Sequence, residues 1–262
     1  MSLLEAKSIC VRLSGREILK DISMGLEAGQ VTALMGLNGS GKTTLLRALC
    51  GLIPICGGEC RILGKQYLYF HEKKRAQYVA WIPQRASLHH GVTVLEMVLM
   101  GANCRLGMLQ SPGKTEKSRA MAALSDAGIL HLADEDYASV SEGQRQLCLL
   151  ARTLLQDAPV MLLDEADSAL DFGNRHRMLA LLKRIAKEQK KAVMVAIHDP
   201  NFALNHVDTI CLLKNGNATR TLFPLQDDVA EMEQALRAVY GAVRIVKSAG
   251  RCFLVMEDEN CP

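Results

Sequence analysis

Long hydrophobic runs are absent from this 262-residue chain. Its uncharged apolar stretches, such as Val160–Leu163, fall far below the ~20 residues that a helix needs to cross a bilayer. An excess of one charge is missing too. Lys and Arg total 31 against 28 Asp and Glu, a formal net charge of +3, which gives no reason to expect a nucleic-acid partner. The N-terminus carries Glu5 early and lacks an apolar signal region, so nothing there predicts export. No disulfide framework is evident either. Nine cysteines, scattered from Cys10 to Cys261, fit the reduced thiols of a cytosolic protein better. Cys56 and Cys60 lie close together, but no second pair or nearby histidine completes the roughly four ligands of a zinc site. Repeats of about 20–50 residues, low-complexity tracts and long linkers are also lacking.

What remains is a chain 49% hydrophobic, enough to bury a sizeable core in one large α/β domain or two small ones. Its most informative stretch is Gly36-Leu37-Asn38-Gly39-Ser40-Gly41-Lys42-Thr43-Thr44, which matches G-x-x-x-x-G-K-[ST]. Glycines let such a backbone curl so that several N–H groups face the phosphate oxygens of ATP or GTP. Lys42 is placed to reach the β- and γ-phosphates, and the Thr43 hydroxyl to bind Mg²⁺. The flanks agree. Val31–Met35 reads as a buried strand, and Thr44–Leu49 opens a helix whose positive N-terminal end suits an anion. At average composition the four fixed positions match by chance roughly once in 100 chains of this length.

Before this loop, residues 1–29 alternate apolar and polar, with turns at Ser14-Gly15 and Ala28-Gly29, which predicts a small antiparallel sheet. Gly51–Phe70 reads as a further strand-and-turn region, and Tyr78–Ile82 as a strand running into Pro83-Gln84. From Ala86 to Ala158 the pattern turns helical. Thr93–Glu96 is a capping box, Ser111–Lys114 a loop, and Thr115–Leu132 carries helical spacing. Val160–Leu163 and Ala192–Ile197 are continuous apolar runs, as in central parallel strands covered on both faces. Asn215-Gly216 signals a hairpin, Asp227–Val239 an amphipathic helix, and Arg244–Met256 a last hairpin turning at Ala249-Gly250.

Phosphate chemistry at such a loop needs a second Mg²⁺ ligand, a group that orients water, and charge stabilisation at the γ-phosphate. Asp164 stands at the carboxyl end of an apolar strand, where open parallel sheets bind ligands. Glu165 beside it is placed to polarise the attacking water. Gln84 and His198 also follow strands and can reach the same metal and phosphate, although strand-end polar residues often only cap helices or solvate loops.

Taken together these motifs resemble the ATP-binding subunit of an ABC transporter over nearly the whole chain. Gly36–Thr43 is similar to the Walker A loop, Gln84 to the Q-loop, Val140–Gln144 to the family signature, Val160–Glu165 to Walker B, Ser168–Asp171 to the D-loop, and His198 to the switch histidine. Val94–Gly101 and His198-Asp199-Pro200-Asn201 further resemble importers of iron chelates, haem and cobalamin.

The resemblance implies an α/β fold: a P-loop NTPase (RecA-like) core with an antiparallel β subdomain and an inserted helical subdomain. Residues 1–262 would form a single ATPase domain, with about 85–157 helical and about 217–262 a C-terminal extension. Two copies would pair head to tail around two ATP molecules. Each ATP would be held by Gly36, Asn38, Gly39, Ser40, Gly41, Lys42, Thr43 and Thr44 of one copy and by Ser141 and Gly143 of the other, with Gln144 and Asp171 among the nucleotide-binding positions. Ser141-Glu142-Gly143-Gln144 is itself a capping box, so a helix start faces the γ-phosphate. Glu165, His198 and Gln84 would be catalytic, and Thr43, Gln84 and Asp164 would hold Mg²⁺. Implied partners are integral membrane permease subunits and a substrate-binding protein acting through them, with the ATPase peripheral on the cytoplasmic face of the inner membrane.

Three positions depart from the family pattern. Glu142 stands where glycine is usual, Ala166 where proline commonly follows Walker B, and Leu13 roughly where an aromatic stacks on adenine. Other readings are a soluble ABC ATPase in translation or cluster assembly, an exporter ATPase, and a non-hydrolysing regulator. Translation-type members usually carry two such domains in one chain, and chromosome-type members a long coiled coil. Glu165 and His198 argue against a regulator.

Overall fold

The computed structural model describes residues 2–85, 87–107 and 110–257. Ala86, where the helical region was expected to open, lies outside them, as do Cys261 and the final residues of the expected C-terminal extension.

Alternating residues at the N-terminus build β1 (Ser2–Leu13) and β2 (Arg16–Glu27), an antiparallel pair turning at Ser14-Gly15. The apolar run β3 (Val31–Met35) leads into the glycine loop and α1 (Lys42–Leu49). Next, β4 (Gly57–Ile62) pairs antiparallel with β1, so the small sheet has the order β2-β1-β4. Cys60 is buried in this sheet, its thiol 3.3 Å from the Tyr67 hydroxyl. Burial pushes the Cys60 pKa up to about 11, so this thiol packs as a neutral group. Short α2 (Glu72–Arg75) precedes β5 (Val79–Ile82).

The helical stretch contains α3 (Val94–Leu99), α4 (Lys114–Asp126) and α5 (Glu142–Gln156). Both capping boxes form. Thr93 Oγ1 accepts from Glu96 N at 3.1 Å while Glu96 Oε2 accepts from Thr93 N at 2.8 Å. Ser141 and Gln144 do the same at 3.3 and 2.8 Å. Helix α4 is shorter than the expected 115–132 and begins within the expected loop, at Lys114. It stops because Gly128 adopts φ of +74°, a left-handed turn that ends a helix, and Leu130–Leu132 forms a separate 3-10 turn.

The chain then enters β6 (Val160–Asp164), α6 (Phe172–Gln189), β7 (Ala192–Ala196), α7 (Pro200–His206) and β8 (Thr209–Lys214). Asn215-Gly216 turns β8 into antiparallel β9 (Asn217–Leu222). Helix α8 (Val229–Tyr240) and the hairpin β10 (Val243–Ser248) with β11 (Arg251–Met256) follow.

The large sheet has the order β5-β6-β7-β3-β8-β9, parallel except for the β9 edge. Its strands are apolar on both faces because both are covered. On one face Ala33, Met161, Leu163, Val193, Val195, Ile210 and Leu212 pack with α6 and α8. On the other, Leu34, Leu162, Met194, Cys211 and Leu213 pack with α1 and the small sheet. Helices α3, α4 and α5 share a third core around Val98, Leu124 and Cys148. Strand β7 lies between β3 and β6. The phosphate loop and Asp164-Glu165 therefore emerge on either side of the strand that leads to His198.

Candidate functional site

The glycine loop leaves β3 at Gly36, whose φ is +158°. A Cβ there would meet the Leu213 carbonyl oxygen at 2.2 Å and Ser40 Oγ at 2.7 Å, so the backbone approaches β8 as only glycine permits. Gly41, at φ +105°, turns the chain into α1 and leaves room for Leu19. Lys42 Nζ donates to the carbonyls of Gly36 and Leu37 at 2.9 and 3.3 Å. Burial lowers its pKa, and the neighbouring Glu165 and Asp164 charges partly restore it. Ser40 Oγ is buried with no hydrogen-bond partner among the described residues. This orphaned hydroxyl and the glycine cradle fit a phosphate group.

A cavity is lined by the loop from Asn38 to Thr44 together with Ile18 and Glu165. Here Thr43 Oγ1 donates to Asp164 Oδ1 at 3.1 Å, joining the start of α1 to the end of β6. Burial raises the Asp164 pKa and adjacent Glu165 raises it further, against the Thr43 hydrogen bond and the charges of Arg47 and Lys42. Oxygen donors around a carboxylate that gains from a nearby cation fit Mg²⁺.

Glu165 sits at φ +49°, an uncommon conformation for a side-chain-bearing residue. It turns the carboxylate away from the strand, between two side chains from neighbouring elements. Gln84 Nε2 donates to Glu165 Oε2, and His198 Nε2 lies 2.5 Å from Glu165 Oε1. The structure thus gathers Gln84, Asp164, Glu165 and His198 around the loop. The Gln84 nitrogen faces Glu165, and its side-chain oxygen has no hydrogen-bond partner among the described residues.

Ser141, Gly143 and Gln144 do not line the loop cavity of their own chain. They lie at the start of α5, where the Gln144 side chain caps its own helix. A Cβ at Gly143 would meet the Ala169 carbonyl at 2.9 Å, so this segment packs against the stretch after Glu165. Asp171 accepts from Asn174 N at 2.7 Å and caps α6.

Sequence reasoning missed two residues. Buried Gln146 donates to the Gln84 carbonyl at 2.6 Å, tying α5 to the segment after β5. Arg175 pairs through Nε with Asp167 at 2.7 Å and through Nη1 with Asp199 at 3.6 Å, and lies 4.0 Å over the Phe202 ring. It bridges the segment after Glu165 to the segment after His198. Nothing in its local sequence signalled this, since both partners come from other elements.

Loop, strand order and strand-end carboxylates define the class: a nucleotide-binding protein of P-loop NTPase fold. More particularly, the chain belongs to the ABC transporter family, whose sequence pattern matches residues 19–168. It is 34% identical to the Hemin import ATP-binding protein HmuV of Vibrio parahaemolyticus over 249 residues, 93% of either chain. A metal-chelate type ABC transporter solved in an inward-facing conformation superposes with a TM-score of 0.80 at 26% identity, covering 97% of this chain and 96% of that one. A dimeric ATP-binding cassette in a post-hydrolysis state, bound to ADP and Pi, gives 0.75 at 26% identity, covering 84% and 98%. The fold is that of an ABC ATPase, and no helix among the described residues is long and apolar enough to cross a membrane.

Proposed function

We propose that this chain hydrolyses ATP with Mg²⁺ to power import of haem or another metal chelate through a separate membrane permease. The observation that carries the reading is the Glu165 carboxylate, gripped by Gln84 and His198 beside the Thr43–Asp164 pair. The whole chain acts as one ATPase domain, with residues about 85–157 its helical arm and about 217–262 its C-terminal extension.

In this reading Gly36, Asn38, Gly39, Ser40, Gly41 and Thr44 offer the phosphates their N–H groups and hydroxyls, and Lys42 neutralises the γ-phosphate. Thr43, Asp164 and Gln84 hold Mg²⁺, which supplies charge stabilisation at the phosphate oxygens. Glu165 takes the proton of the attacking water, and His198 fixes which way its carboxylate points. Ser141 and Gly143 of a second copy, flanked by that copy's Gln144 and Asp171, close over the γ-phosphate. ATP then favours the closed pair because it contacts both copies, and hydrolysis releases them.

The likeness to a hemin import ATP-binding protein favours import over export. A permease and a substrate-binding protein complete the machine, and the ATPase sits peripherally on the cytoplasmic face of the inner membrane. Residues 87–101 are the docking candidates on the ATPase, with exposed His89 and His90 at the surface.

Two measurements test the reading. Glu165→Gln should bind Mg-ATP normally, form a lasting dimer and lose turnover by about 10²–10⁴-fold. Near-normal hydrolysis by that variant refutes the assignment of Glu165. Cysteines at 89 and 90 should cross-link to the permease in native membranes, and their silence moves the docking surface elsewhere.

A further inference from the structure

Helix α7 begins two residues after His198, and seven residues are too few to hold it by backbone bonds alone. Its outer face carries Asn201 and Asn205, four residues apart and therefore one above the other. Each asparagine bonds both backbone groups of one residue in β11. Leu254 N donates to Asn201 Oδ1 at 2.6 Å, and Asn201 Nδ2 donates back to the Leu254 carbonyl at 3.3 Å. Cys252 N donates to Asn205 Oδ1 at 3.0 Å, and Asn205 Nδ2 donates to the Cys252 carbonyl at 2.7 Å.

The spacing explains why this works. Four helical residues rise ~6 Å, and two strand residues rise ~6.6–6.8 Å. Two amides on successive turns therefore meet alternate residues of a strand in register. A side-chain amide carries a neutral donor and a neutral acceptor on two separate atoms in one plane, as a backbone peptide does. Asn201 and Asn205 thus complete the free edge of β11 as a neighbouring strand would. The hairpin is itself fixed from below, with Val243 and Ile245 in the main core and Ile245 N donating to Glu233 at 2.7 Å.

On the other side, Asp199 caps α7 by accepting from Asn201 N and Phe202 N at 2.9 and 3.2 Å. His198 therefore lies between β7, which is buried in the sheet, and a short helix held by the last strand of the described chain. We propose that Asn201 and Asn205 are positioning residues for ATP hydrolysis: through them the C-terminal hairpin sets α7, and with it the reach of His198 to Glu165. This rests on the reading above that His198 and Glu165 act together. It assigns the hairpin, far from the phosphate loop in sequence, a part in turnover.

The test uses the full-length chain and radiolabelled ATP, so that slow turnover is still read. Asn201→Ala and Asn205→Ala are made singly, together, and each in a His198→Ala background, with Asn205→Ser as the mildest variant should the alanines not fold. The expected result is a fall in kcat of about tenfold with KM for ATP unchanged, because the phosphate loop is untouched. Amide hydrogen exchange at Cys252 and Leu254 should quicken in the same variants. In the His198→Ala background the asparagine changes should cost nothing further, the non-additivity of groups acting through one another. An equal loss of kcat in that background overturns the proposal, as does unchanged kcat alongside faster exchange in β11. Wild-type turnover by His198→Ala alone overturns the reading of His198 itself, and this proposal with it.

Discussion

Gln146 is joined to Gln84 by a hydrogen bond of 2.6 Å, from the side-chain amide of the first to the carbonyl of the second. The bond links the helix that starts at Ser141 with the segment whose side chain grips Glu165. The bond joins the two segments directly, not by way of the phosphate loop.

Replacing this donor by a carboxylate tests the link. Gln146→Glu sets a buried negative charge against the carbonyl oxygens of Gln84 and Pro83. The expected cost is about 3 kcal/mol or more at neutral pH. A buried carboxyl of this kind has a folded-state pKa above its unfolded value, and its protonated form can donate as the amide did. Stability relative to wild type should therefore recover as the pH falls. Urea unfolding at pH 5 and pH 8 reads the difference, and a gap that does not narrow at pH 5 contradicts the geometry.

Asp164 works against folding stability in the nucleotide-free chain. Its pKa is raised chiefly by burial, so the folded chain binds the proton more tightly than the unfolded one. The stability this carboxyl contributes is present below the ordinary aspartate range and lost as pH rises through the folded value. Asp164→Asn should raise the unfolding temperature at pH 7, leave it nearly unchanged below pH 4, and abolish Mg²⁺-dependent hydrolysis. Calorimetry with a phosphate-release assay checks both halves.

Glu142 is exposed in the first turn of α5, at the helix end assigned to the opposite γ-phosphate. A carboxylate there stabilises the helix by roughly 0.3–1 kcal/mol and repels the phosphate across a closing interface. Glu142→Gln should lower the ATP concentration that drives dimer formation, most at low salt, and slightly lower thermal stability without nucleotide. Sedimentation at two salt concentrations decides. An ATP dependence unchanged at both removes the electrostatic account.

The cavity at the phosphate loop has no aromatic side chain among its lining residues. Leu13, 38% exposed, closes β1 opposite Arg16, and Ile18 lines the phosphate-loop cavity. Leu13→Tyr supplies a ring for adenine to stack on, worth ~1–3 kcal/mol for base–aromatic contacts. Binding of a fluorescent ATP analogue should tighten about fivefold or more, with kcat unchanged. An unaltered affinity places the base away from Leu13.

The sequence announced the centre of the sheet because β6 and β7 are unbroken apolar runs that each stop at paired polar residues, Asp164-Glu165 and His198-Asp199. Such strands need no partner to be recognised. Capping boxes at Thr93 and Ser141 were equally legible, since their bonds span three residues. Gly128 was a stop signal that helical spacing alone overrode. The supports of the site were hidden for a different reason. Asn205 looks like an ordinary polar position on a short helix, Asn201 stands out only within the importer-like stretch that begins at His198, and their partners lie 47 and 53 residues away. Arg175 likewise reads as the charged face of α6 until the fold delivers Asp167 and Asp199 to it.

Lys42 already makes two hydrogen bonds inside its own loop, to the carbonyls of Gly36 and Leu37. Capturing a nucleotide is then an exchange of acceptors at a finished receptacle, neutral oxygens giving way to charged ones. Little chain has to be ordered at the moment of encounter, so arrival of ATP should proceed at a rate governed by diffusion and charge rather than by loop refolding.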